Sequence, residues 1–180
     1  MADYQKISQS LDELLKSVDL SNTTEEGVKQ DLPDGYYLCQ VDKAQLGESK
    51  NGHPMFTIEY LTTEDGKRNV VDEEGYAQLE DAKGTANKKI FVNYVLSNEQ
   101  QITFFVSDML KFTDLDSDTP FFTKDDFLDT TGIVNVAEAL TNGGIIYIMV
   151  QTVESQKEPG QFIKKYKPIT WKRARKLELI

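Results

Sequence analysis

The chain has a single cysteine and a single histidine among its 180 residues. Cys39 alone cannot form an intramolecular disulfide or a cysteine-clustered zinc site, and its place in an apolar, alternating stretch predicts a buried, inert thiol. His53 has no second imidazole with which to share a metal and stands beside Pro54, so it reads as a solvated turn residue. No apolar run approaches the roughly 18 residues that a membrane span needs. The opening MADYQKISQS lacks the basic and then apolar pattern of a signal peptide. The expectation is a soluble, intracellular protein without a membrane partner.

Catalytic signatures are missing too. There is no GxxxxGK phosphate loop, no GxSxG elbow and no HExxH pair, and nothing adjacent would activate the lone thiol or imidazole. Carboxylate pairs such as Asp125-Asp126 are plentiful, but among 30 acidic residues they mark wetted surface. The acidic run over residues 114–118 suggests a calcium loop, yet it lacks the sixth-position glycine and the terminal glutamate of that motif. No enzyme activity, metal or cofactor is expected.

Positive charge is scarce, with 20 basic against 30 acidic residues and a net charge of −10, which argues against nucleic-acid binding through overall charge. Its distribution reverses that inference locally. Residues 161–180 hold Lys164, Lys165, Lys167, Lys172, Arg173, Arg175 and Lys176 against Glu178 alone, a net of +6, which leaves −16 on the other 160 residues.

Length and a hydrophobic content of 39% suit one domain with trimmings. We divide the chain into an N-terminal helical arm (1–32), a main domain (33–170) and a basic C-terminal tail (171–180). In the arm, Ile7, Leu11, Leu14, Leu15 and Val18 share one helical face behind a Ser8 or Ser10 cap, as for a helix that docks on the core. After Pro33-Asp34-Gly35 a first strand alternates Tyr37, Cys39 and Val41 against Tyr36, Leu38 and Gln40. The turn SKNGHP, with Asn51-Gly52 supplying positive φ and Pro54 opening a strand, leads to a second strand with Phe56, Ile58 and Tyr60 on one face.

Residues 63–89 are polar, acidic and glycine-punctuated, as in a loop inserted in a hairpin. A third strand follows, with Ile90, Val92 and Tyr94 opposing Phe91, Asn93 and Val95; the Cys39 and Phe91 sets are assigned to the core. Asn98 and Gln101 predict a capped helix whose stripe Ile102, Phe105, Val106, Met109 and Leu110 is buried. Beyond it the pattern weakens to a helical turn over 123–129 and another over 136–140 capped by Asn135. IIYIMVQTV and FIKKYKPI then form a hairpin around Lys157-Glu158-Pro159-Gly160.

Five strands with a helix between the third and fourth predict a mainly β protein with an OB-fold-like barrel, a scaffold that holds oligonucleotides. Single-strand binding needs aromatic faces for stacking and cations along the phosphates. The last strand offers Phe162, Lys164 and Tyr166 on one face, flanked by Lys165 and Lys167. Tyr36 and Tyr94, placed opposite the core sets, add rings. Trp171, Lys172 and Arg173 continue the series, whether as strand or as short helix, and Lys50 in the first turn can reach a phosphate. The rival reading docks the basic tail on the protein's own acidic surface.

Gly35-Tyr36-Tyr37, the turn SKNGHPM and Lys89-Ile90-Phe91-Val92-Asn93 together resemble a bacteriophage family of single-stranded DNA-binding proteins, whose pattern runs PxGxY, SKxGxPM, IFxN and then a helix. The resemblance covers roughly residues 32–112 and is most specific at SKNGHPM. This chain departs from the family in its longer acidic insertion and in Glu59, which stands where an exposed aromatic is expected; the contact surface is therefore expected on the last strand. The resemblance implies a phage accessory that coats single-stranded DNA during replication or recombination in the cytoplasm of the infected bacterium. It would need no cofactor, and could work as a homo-oligomer with phage or host replication and recombination proteins. The alternative is a phage interaction protein that inhibits a host nucleic-acid machine through its acidic surface.

Overall fold

A computed structural model describes residues 32–180 and, before them, the short antiparallel pair β1 (Thr23–Thr24) and β2 (Gly27–Val28). The chain divides at Asp31/Leu32 into two compact units. The helix expected over residues 7–18 lies outside the described residues.

The second unit is built on β3 (Gly35–Glu48), a strand long enough to serve two sets of neighbours. Its second half pairs with β4 (Pro54–Thr62) through the SKNGHP turn, where Gly52 takes a φ of 77° and Ser49 N–H donates to the His53 carbonyl at 2.8 Å. Its first residues pair with β5 (Gly66–Val71) on the same edge and, on the opposite edge, with β8 (Ile145–Glu154). β6 (Ala77–Ala82) continues outward from β5, β7 (Lys89–Val95) from β4, and β9 (Phe162–Ile169) from β8.

The result is an open, seven-stranded antiparallel sheet. The protein is mainly β, as expected, but the five-stranded barrel with one helix between its third and fourth strands is corrected on two counts. First, no hydrogen-bonded pairing among the described residues joins β7 to β9, so the sheet does not close. Second, residues 63–89 are not a loop. They form the β5–β6 hairpin, whose acidic composition hides cross-strand partners: Lys67 meets Asp81 at 2.5 Å and Arg68 meets Glu80 at 3.1 Å.

A polar elbow marks the place where β4 passes into β5 and β6 into β7. Thr62 and Thr85 are buried there; Thr62 Oγ1 donates to the Thr85 carbonyl at 2.6 Å, and Gly66 N–H donates to Thr85 Oγ1 at 2.9 Å. Asp65 Oδ1 accepts from the amides of Thr85 and Ala86 at 2.8 and 3.0 Å. The close crossing requires glycine: a Cβ on Gly66 would sit 2.2 Å from the Tyr37 ring, and one on Gly35 would sit 2.1 Å from the Lys67 carbonyl oxygen.

One sheet face carries Tyr37, Cys39, Val41, Phe56, Ile58, Tyr60, Ile146 and Ile148, covered by α1 (Glu99–Met109), α2 (Thr130–Thr141) and a 3-10 turn at Lys124–Phe127. α1 is capped as expected, with Asn98 Oδ1 accepting from Gln101 N–H at 3.0 Å, although the Gln101 side chain reaches back to Ser97. Phe105 and Met109 are fully buried, Val106 and Leu110 partly so, while Ile102 is exposed. α2 starts at an Asp129 cap, before the expected Asn135. Its C-terminal end is tied to the β3 bulge by Ala44 N–H donating to Thr141 Oγ1 at 2.9 Å and Val41 N–H donating to the Gly144 carbonyl at 2.7 Å.

On the other face, α3 (Trp171–Lys176) packs Trp171 and Ala174 against Tyr36, Tyr147 and Ile169. No helix among the described residues is long and apolar enough to cross a membrane.

Candidate nucleic-acid interface

The expected contact residues separate into two groups once the strands are in register. In β9, Tyr166 pairs with Val150 and Lys164 with Thr152, so Phe162, Lys164 and Tyr166 point toward the sheet face that carries the main core. Tyr166 packs against that core. The Lys164 ammonium donates to the Leu32 carbonyl and lies 3.8 Å from the Asp34 carboxylate. Asp34 in turn accepts from Thr152 Oγ1 at 2.6 Å and Thr152 N–H at 2.8 Å. Burial works against its charge, but these bonds and the Lys164 ammonium outweigh it and hold the carboxyl below its ordinary pKa. Lys164 thus fastens β9 to the start of β3. Only Phe162 on this face, at 68% exposure, stays open to solvent.

Three other aromatics are corrected from exposed platforms to packing. Tyr36 is buried in the cluster beneath α3. Trp171 is 6% exposed, donates its indole N–H to the Thr113 carbonyl at 2.8 Å and stands edge-on to Tyr147 at 5.7 Å. Tyr94 packs on Phe105 at 5.4 Å and donates its hydroxyl to Asp108 at 3.0 Å; burial, then Tyr60 and Asp108, push its phenol pKa up. The expectation inverted β7. Ile90, Val92 and Tyr94 oppose Tyr60, Ile58 and Phe56 across the ladder and go inward, leaving Phe91 52% exposed.

The C-terminal cations that remain available lie on α3 and on the opposite face of β9. Lys167 pairs with Met149 and Ile169 with Tyr147, which places Lys165 and Lys167 on the side where α3 docks. Lys172, Arg173 and Lys176 project from α3 itself. All five are exposed, and none has an ion-pair partner among the described residues. Arg175 is different: it holds Asp118 through both carboxylate oxygens, at 2.5 and 2.6 Å, and the Leu115 carbonyl at 3.1 Å.

No protein-family model and no curated protein matches the chain. Lys50 is exposed at the far end of the β3–β4 hairpin. About 40 Å of extended strand lies between it and the end of β3 that adjoins β8 and β9, so the fold does not bring it to the other cations. Of the five β9 residues expected from the sequence, Lys164 and Tyr166 are engaged by the fold, while Phe162, Lys165 and Lys167 are exposed. Lys176, one of the terminal cations, is exposed on a helix whose N-terminus is capped by Thr170.

The α3 cations also complement the helix dipole. Arg173, Arg175 and Lys176 occupy the last turn of a helix whose first turn holds no acid. That arrangement keeps a dense positive surface on a short, firmly docked helix. Chemically the site offers charge and hydrogen-bond donors with little exposed ring surface, which suits a phosphate backbone better than stacked bases.

Proposed function

We propose that this protein binds single-stranded DNA with little sequence preference, through Lys165, Lys167, Lys172, Arg173 and Lys176. The observation that carries the reading is a set of five exposed cations, on α3 and on the side of β9 where α3 docks, that have no ion-pair partner among the described residues, in a chain of net charge −10. Phe162, 68% exposed at the strand's start, points to the other face of β9, so the reading rests on charge rather than on stacking. The resemblance of SKNGHPM and its flanks to phage single-stranded DNA-binding proteins supports the same reading, and with it a role in phage replication or recombination inside the host. Binding is expected to be mainly electrostatic and to weaken steeply with salt.

The test is a fluorescence anisotropy titration with oligo-dT against the same sequence as a duplex, at low salt. Tighter binding of the single strand supports the proposal; no binding of either, or preference for the duplex, overturns it.

A second reading rests on the β5–β6 hairpin. Its tip exposes Val71 and Tyr76, each 72% accessible, beside Glu73 and Glu74. Such a tip suits the basic groove of a host nucleic-acid-binding protein, which the chain would block. Replacing residues 72–76 by Asn-Gly separates the two: retained DNA binding with loss of host-protein pull-down supports the second reading.

A further inference from the structure

The open sheet has three outer strands, β6, β7 and β9, and the first of these carries Glu80 and Asp81. β9 is guarded by Lys164, Lys165 and Lys167, the charges with which natural sheets discourage further pairing. β7 reads KIFVNYV and carries no charge after Lys89, which is itself engaged by Glu59.

The ladder fixes which backbone groups of β7 are taken. Leu96 N–H donates to the Pro54 carbonyl and Thr62 N–H to the Lys88 carbonyl, so the hydrogen-bonded pairs are Tyr94 with Phe56, Val92 with Ile58 and Ile90 with Tyr60. Phe91, Asn93 and Val95 therefore turn their N–H and C=O groups away from β4, and no described residue accepts from or donates to them. Their side chains lie on the sheet face opposite the main core, where Phe91 is half exposed and Asn93 exposed.

We propose that this edge pairs with the same edge of a second copy, antiparallel, about a two-fold axis through Asn93. That register is self-complementary in each respect that matters for a strand pair. Asn93 opposes its own counterpart, and Phe91 opposes Val95, so each outward-facing residue meets another outward-facing residue and exchanges both backbone bonds with it. Phe91 against Val95 is an aromatic and β-branched pair, a favourable cross-strand combination. Lys89 faces Ser97, so no like charges are opposed despite the acidic body. A one-residue slip would set outward groups against groups already bonded to β4. The contact does not depend on the nucleic-acid reading, because the five cations of β9 and α3 lie on other strands.

Sedimentation equilibrium of the full chain, from low micromolar to submillimolar concentration, tests this together with amide hydrogen exchange. The expected result is a reversible dimer of twice the chain mass, with the amides of Phe91, Asn93 and Val95 becoming protected as concentration rises. Those of Ile90, Val92 and Tyr94 are protected throughout. Phe91→Lys places a charge on an exposed site, and Asn93→Pro removes only an outward N–H; each should raise the dimer dissociation constant at least about tenfold with the circular dichroism spectrum unchanged. A variant that misfolds leaves the exchange pattern of the unaltered protein to decide. A wild-type monomer at all concentrations overturns the proposal: slow exchange at the three outward amides would mean that the chain's own residues cover the edge, and fast exchange that it is free for another partner. A dimer that survives both substitutions overturns it too.

Discussion

Replacing Lys165 and Lys167 together by alanine should lower the salt sensitivity of DNA binding by a definite amount, whereas replacing Lys164 should not. If all five exposed cations of β9 and α3 meet phosphates, the slope of log K against log salt is about −3.5, at roughly 0.7 per phosphate for single strands. Removing two of the five brings it to about −2.1. Referred to binding at about 1 M salt, the same two contacts contribute about 25-fold in affinity at about 0.1 M. Lys164→Ala is the informative contrast. Its ammonium is committed to the Leu32 carbonyl and to Asp34, so the slope should stay where it was while the fold loses about 1 kcal/mol, read by urea unfolding. Anisotropy titrations with oligo-dT at several salt concentrations give each slope. A Lys165/Lys167 double variant with the wild-type slope, or a Lys164 variant whose slope falls as far, would refute the assignment of faces.

Other perturbations probe the scaffold. Phe105→Ala removes a fully buried ring in contact with Phe56, Tyr94 and Phe127, at 4.7, 5.4 and 5.7 Å, and should cost about 3–5 kcal/mol in chemical denaturation; Phe104→Ala, at an exposed site, should stay within about 0.5. Gly66→Ala drives a methyl into Tyr37 and should lower the melting temperature markedly, while Gly47→Ala, with nothing within 4 Å, should not. The lowered pKa of Asp34 means that its contribution to stability is complete above the ordinary carboxyl range and is lost as pH falls through the folded value; Asp34→Asn should flatten that acid limb of a stability-against-pH curve. Cys39 is buried and its thiol pKa is pushed well up by burial, so it should react with a thiol reagent only as fast as the protein unfolds.

The sequence was legible where structure is local. The SKNGHP turn, the Asn98 cap and the C-terminal hairpin depend on residues within a few positions of one another, and all three were read correctly. β7 was misread because both of its faces carry apolar residues; only pairing with Phe56, Ile58 and Tyr60 decides which goes inward, and that partner is some 30 residues away. The β5–β6 hairpin reads as a loop in the sequence because its polar residues find their partners across a ladder that composition does not reveal. α2 lost its beginning to Thr130, Thr131 and Gly132, poor helix formers that follow a good cap. At the candidate site, strand and charge were legible. Which face of β9 was free was not, since that depends on a carbonyl at Leu32 and a carboxylate at Asp34, more than 120 residues earlier.

The elbow of Thr62, Asp65 and Thr85 satisfies its own polar groups without help from anything beyond Val71 or before Ala77. The hairpin outside it can therefore lengthen, shorten or change its tip while the sheet behind stays in register. That makes this arm the natural place for variation among versions of the protein, and a permissive point for grafting a label or a binding peptide. A cut on the near side of the elbow would instead strip the donors from Thr85 and unpick the sheet at its bend, so engineering there should begin at the tip and stop short of Gly66.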